Sequence, residues 1–124
     1  MATVRVVVCG SRDFDEPGLI GATLNALHEV YEFSLVIDGG AKGADTKASI
    51  WAMAKGVDSH TYVAQWDRDG KRAGILRNCR MLESGKPSLV IGFVNKPLAE
   101  SKGTAHMIGI ARAKGVKTIV VEVQ

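Results

Sequence analysis

The chain has 124 residues, 46% of them hydrophobic, with a formal charge of +3. That size and apolar share fit one compact domain over residues 1–124 and exclude a generally disordered chain. Its basic residues are spread along the sequence with Asp and Glu among them, not gathered in the stripe of an electrostatic DNA binder, so nucleic acid is not the expected partner.

There is no apolar run of about 18 residues, so no membrane span or membrane partner is expected. The N-terminal residues enter a strand at once without the marks of a signal peptide, which places the chain in the cytoplasm. Cys9 and Cys79 are far apart; Cys9 reads as a buried core thiol, and nothing suggests a disulfide-stapled scaffold.

In chain order, short apolar runs rich in β-branched residues alternate with helix-like stretches. Residues 4–9, nearly continuous Val, read as a strand buried on both faces. A helix follows over 19–30, with apolar residues at 19, 20, 24, 27 and 30, close to the 3.6-residue period. Residues 35–37 form the second strand, and 44–55 a helix that stops at Gly56. The third strand is placed at 61–63 and the next helix at 73–83, ending near Gly85. A fourth strand at 89–93, a helix at 104–114 closed by Gly115, and a fifth strand at 118–123 complete the chain. This alternation predicts an α/β fold, a Rossmann-like three-layer sandwich with a mainly parallel sheet of about five strands. The irregular stretches 64–72 and 95–102 each follow a strand, where open parallel sheets bind ligands, and read as candidate lids.

The chemistry-bearing residues fall at those same strand ends. Asp38-Gly39-Gly40-Ala41-Lys42-Gly43-Ala44-Asp45 leaves the second strand and opens a helix. Its glycines let backbone approach a ligand, and the helix start offers free amides to an anion. The spacing is neither a P-loop nor GxGxxG, so a plain tight turn with Asp45 capping the helix is the competing reading. Gly10-Ser11-Arg12 leaves the first strand and offers amides, a hydroxyl and a guanidinium suited to phosphate; a surface loop with an Arg12–Asp13 ion pair is the alternative. Lys71, Arg72 and Arg77, with Asn78, crowd cations at a helix start against the helix dipole, which points to an anionic partner; a solvated helix face is the alternative. Ser101-Lys102-Gly103-Thr104 opens the last helix, with His106 in its first turn. Trp66 is placed either to stack on a base or to pin its loop. Asp67 and Asp69 alone do not make a metal site, and neither metal nor cofactor is expected.

Together these blocks carry a resemblance. Gly10-Ser11-Arg12-Asp13-Phe14, Gly39-Gly40-Ala41-Lys42-Gly43-Ala44-Asp45, Ala73-Gly74 with Arg77-Asn78 and Met81, and Gly103-Thr104 with Met107-Ile108 resemble, in order, the YspA (cpYpsA-related) branch of the SLOG superfamily. That superfamily also holds the DprA-type proteins and the LOG phosphoribohydrolases. The resemblance implies a Rossmann-like fold holding a nucleotide-related ligand at the strand ends, and assembly into homo-oligomers. It aligns the LOG arginine-lysine pair with Arg77 and Asn78, and the late LOG glycine motif with Gly103-Thr104. The Pro-Gly-Gly lead-in of that motif is absent here, and His106 stands where LOG enzymes place a catalytic glutamate. A neutral imidazole does not supply that negative charge.

The expected function is therefore binding of a nucleotide or nucleotide-derived phosphate ligand, as a sensor or sequestering protein. The expected contacts are Gly10, Ser11, Arg12, Gly39, Gly40, Ala41, Lys42, Gly43, Asp45, Lys71, Arg77, Asn78, Gly103 and Thr104. Asp45 and His106 are the candidates for any catalytic role. An N-glycosidase-like enzyme and, behind it, a DprA-like DNA-binding module are the alternatives.

Overall fold

A computed structural model describes residues 3–123. Its strands are β1 (Val4–Gly10), β2 (Phe33–Asp38), β3 (Asp58–Thr61), β4 (Leu89–Val94) and β5 (Lys117–Glu122). Its helices are α1 (Pro17–Tyr31), α2 (Ala44–Lys55), the short α3 (Trp66–Asp69), α4 (Ala73–Glu83) and α5 (Lys102–Ala113), with 3-10 turns at Gly70–Arg72 and Leu98–Glu100. The five strands form one sheet in the order β3-β2-β1-β4-β5, and every pairing is parallel.

The valine run of β1 explains its central place. Side chains alternate between the two faces of a strand, so a run apolar at every position can be satisfied only with both faces covered. Val6 and Val8 pack with Ile20 and Leu24 of α1 and with Ala48, Trp51 and Ala52 of α2. Val7 and Cys9 pack on the other side with Met81 of α4 and with Met107, Ile108 and Ala111 of α5. Ile20 and Leu24, fully buried, each contribute roughly 1.5–3 kcal/mol by leaving water.

Two strands differ from their expected limits by more than one residue. β2 starts at Phe33, not at 35, because the pairing of Val4 with Phe33 is followed by that of Arg5 with Leu35. Ser34 is the extra residue, and this bulge breaks the alternation that would have revealed the strand's start. β3 lies at Asp58–Thr61 instead of 61–63 and is exposed throughout. It is an edge strand held to β2 by backbone pairing, so its Asp-Ser-His-Thr sequence needs no apolar face.

α1 follows β1 onto one face of the sheet, and α5 follows β4 onto the other. β1 and β4 are neighbours, so the two chains part between their carboxyl ends and leave a crevice there.

Candidate functional site

The crevice is a cleft of about 1060 Å³, at the large end of the range for small-molecule sites. Its walls come from the ends of β1, β2 and β4 and from the starts of α4 and α5.

At β1 the chain must pass very close to β4. A Cβ on Gly10 would stand 2.5 Å from the Phe93 carbonyl oxygen and 2.8 Å from the Ala44 Cβ. The Ser11 amide then donates to the Phe93 oxygen at 2.9 Å, and the Ser11 hydroxyl is 2.9 Å from that of Ser101 across the cleft floor. Both serines are buried. Arg12 is exposed at the rim.

The loop after β2 is held by two buried carboxylates. Asp38 Oδ1 accepts from the Gly40 amide at 2.8 Å, and its Oδ2 accepts from Thr61 Oγ1 at 3.1 Å. Asp45 Oδ2 accepts from the Gly39 amide at 2.6 Å. So Asp45 braces the loop that precedes its helix instead of capping the helix start. Burial raises the pKa of both acids, and for Asp45 it outweighs the Gly39 and Ala41 amides and reaches about 7. Gly43, with φ +85°, turns the chain into α2; a Cβ there would meet the Ser11 carbonyl oxygen at 2.8 Å.

From α4, Arg77 reaches back to this loop. Its Nη1 donates to the Gly39 carbonyl at 2.7 Å and its Nε donates to Asn78 Oδ1 at 2.9 Å. With its oxygen so used, the Asn78 amide presents Nδ2 to the Gly103 carbonyl at 3.2 Å and to His106 Nδ1 at 3.1 Å. Since Nδ2 can only donate, His106 Nδ1 accepts and its proton sits on Nε2. Burial also lowers the His106 pKa. A protonated ring would set two donors against each other, so neutral imidazole is the form this network fits.

α5 begins at Lys102 without a side-chain cap, because the Ser101 hydroxyl is turned to Ser11. The first intrahelical bond comes from the Ala105 amide to the Ser101 carbonyl. The amides of Lys102, Gly103 and Thr104 precede it and have no partner within the helix.

All of the expected site residues line the cleft except Gly43. The sequence reading omitted Lys96, Lys102, Glu100 and Ser101 from the contact set, although their place after β4 was the available signal. Six basic side chains line the cleft: Arg12, Lys42, Lys71, Arg77, Lys96 and Lys102. Only Asp13, Asp45 and Glu100 stand against them. The whole chain has 16 basic and 13 acidic residues, so ten of each lie elsewhere and the entire formal excess belongs to the cleft. Among the described residues, the Arg12–Asp13 pair is not formed; Arg68 instead pairs with Asp69 at 3.0 Å. No group of three ligating side chains gathers for a metal among the described residues. No helix among them is long and apolar enough to cross a membrane.

An all-parallel sheet in this order, with its cleft where β1 and β4 part, defines a Rossmann-like α/β protein. More particularly, the chain belongs to the YspA, cpYpsA-related SLOG family, whose profile matches residues 4–68. It is similar along nearly its whole length to the Gene 61 protein of Mycobacterium phage D29: 34% identical over 121 residues, covering 93% of this chain and 94% of that protein. No solved structure matches the chain.

Proposed function

We propose that the protein binds a nucleotide or nucleotide-derived phosphate ligand in this cleft, as a cytoplasmic sensor or sequestering protein. One observation carries the reading: the chain's whole positive excess surrounds a cleft lined by the residues of the uncapped α5 start. Phosphate at an uncapped helix start gains both the free amides and the helix dipole. Lys102 beside the α5 start adds charge where those amides lie, and Lys42 of the β2 loop lines the same cleft. Family membership agrees with a nucleotide-related ligand.

A hydrolytic reading of the same cleft has one feature in its favour. Asp45 lines the cleft with a pKa of about 7, suited to moving a proton near neutral pH. Against it, Oδ2 is engaged by the Gly39 amide. His106, the other candidate, is tied through Nδ1 to Asn78. Binding without turnover is therefore the leading reading.

A thermal-shift screen against nucleotides, cyclic nucleotides, NAD and ADP-ribose derivatives tests it, with mass analysis of each hit after incubation. A ligand at 100 times its Kd adds about 2.7 kcal/mol of stability. Recovery of that ligand intact supports a binder. Recovery as base and sugar phosphate makes the protein an enzyme, and an unshifted melting curve across the panel contradicts the proposal.

A further inference from the structure

One wall of the cleft differs from the charged remainder. Val63, Trp66 and Ile75 line it and are 60%, 50% and 49% exposed, among the few large hydrophobic side chains left open to solvent. Trp66 sits on a one-turn helix, and the far edge of its indole lies 3.5 Å from where a Cβ on Gly74 would stand. The same point is 3.9 Å from Arg77 Nη2. Gly74 is inside the first turn of α4, where glycine costs about 1 kcal/mol relative to alanine. The packing does not ask for it: φ is not positive, and an alanine Cβ would make only ordinary contacts. The bare helix surface at Gly74 leaves a flat strip of backbone between an exposed indole and the guanidinium that holds the Gly39 loop.

The geometry points to this strip as the seat of a nucleobase, with the ring stacked against Trp66 over Gly74 and the phosphates running past Arg77 to the amides at the start of α5. The inference rests on the phosphate reading above and narrows it to a nucleoside di- or triphosphate. A single phosphate monoester carries about −1.5 to −2 charge. That falls short of an excess of six basic over three acidic groups. A flat aromatic ring suits an exposed indole because stacking requires a π-face and buries apolar area without polar partners to satisfy. The seat and the cations adjoin through Arg77, so one molecule satisfies both.

The test compares ADP with pyrophosphate by titration calorimetry and Trp fluorescence. Trp51, buried and donating from Nε1 to Asn25 Oδ1 at 2.9 Å, is a constant background, so a ligand-dependent change reports on Trp66. The seat predicts that ADP binds at least about tenfold tighter than pyrophosphate and alone changes the emission. In Gly74→Leu, whose side chain fills the strip while improving helix propensity, the ADP-to-pyrophosphate preference collapses toward one. Trp66→Ala does the same, and Trp66→Phe restores most of the preference. If both ligands bind and the preference is unaltered in Gly74→Leu and Trp66→Ala, the seat is wrong while the phosphate reading stands. If neither ligand binds the wild-type protein, the phosphate reading falls and the seat with it.

Discussion

Arg77 Nη1 donates to the Gly39 carbonyl oxygen at 2.7 Å, joining residues 38 positions apart and tying α4 to the loop after β2. The guanidinium is packed so closely on the Gly39 Cα that a side chain there would overlap it. Arg77 thus shapes the loop as well as charging the cleft.

Replacing Arg77 with Lys keeps the charge and loses the planar fork. Both bonds, to Gly39 and to Asn78, cannot then be made together. The expected result is a loss of about 1–2 kcal/mol in denaturant stability and a clear fall in nucleotide affinity. Equal affinity in the variant would remove Arg77 from the binding site.

Two glycines at helix starts separate fold from function. Gly43→Ala places a Cβ at φ +85° against the Ser11 carbonyl and is expected to cost about 1–3 kcal/mol. Gly103 has open space around its Cβ position, so Gly103→Ala leaves thermal stability unchanged or raised by up to about 1 kcal/mol. Yet it crowds the α5 amides, and ligand affinity is expected to fall. An affinity equal to wild type would place the phosphate elsewhere.

Asp45 gives the protein a pH signature. Its folded pKa of about 7 lies above the ordinary value of 3.8, so between these pH values the folded state binds more protons than the unfolded one. Its contribution is fully present below pH 3.8 and is lost as pH rises through about 7. The slope is at most about 1.4 kcal/mol per pH unit. His106, with its pKa lowered from 6.5, acts with the opposite sign. Asp45→Asn removes the first effect and keeps the second, so the difference between variant and wild type isolates Asp45. Melting temperatures at pH 5 and pH 8 should show the variant gaining on the wild type at the higher pH. A pH-independent difference contradicts the assignment.

The fold was legible wherever the chemistry was local. The valine run of β1, the helical stripe over residues 19–30 and the strand–helix alternation sufficed for a Rossmann-like sheet. β3 was misplaced because an edge strand is stabilised by backbone pairing, which Asp58, Ser59 and His60 do not advertise. The stretch 64–72, read as irregular, holds α3 and a 3-10 turn too short to leave a periodic pattern. For the site, strand-end position alone brought Ser11, Gly40, Asn78 and Thr104 into one cleft. What no spacing revealed was who bonds to whom: the Asp45–Gly39 brace and the Arg77–Gly39 tie depend on packing between distant segments.

The Asn78–His106 contact makes a spectroscopic prediction. Nitrogen-15 shifts of the His106 ring should report the Nε2–H tautomer and a pKa below 6.5. In Asn78→Asp the neighbour becomes a carboxylate, and the ring should protonate at higher pH. An Nδ1–H ring in the wild type would mean that the network runs the other way.

The central claim is that the free amides at the α5 start grip phosphate in this cleft, and amide-resolved NMR on this 13.2 kDa protein tests it most directly. Titration with ADP should shift the amides of Lys102, Gly103 and Thr104 most, saturating at one ligand per chain. Shifts confined to other surfaces, or none at ligand concentrations in the millimolar range, would contradict it.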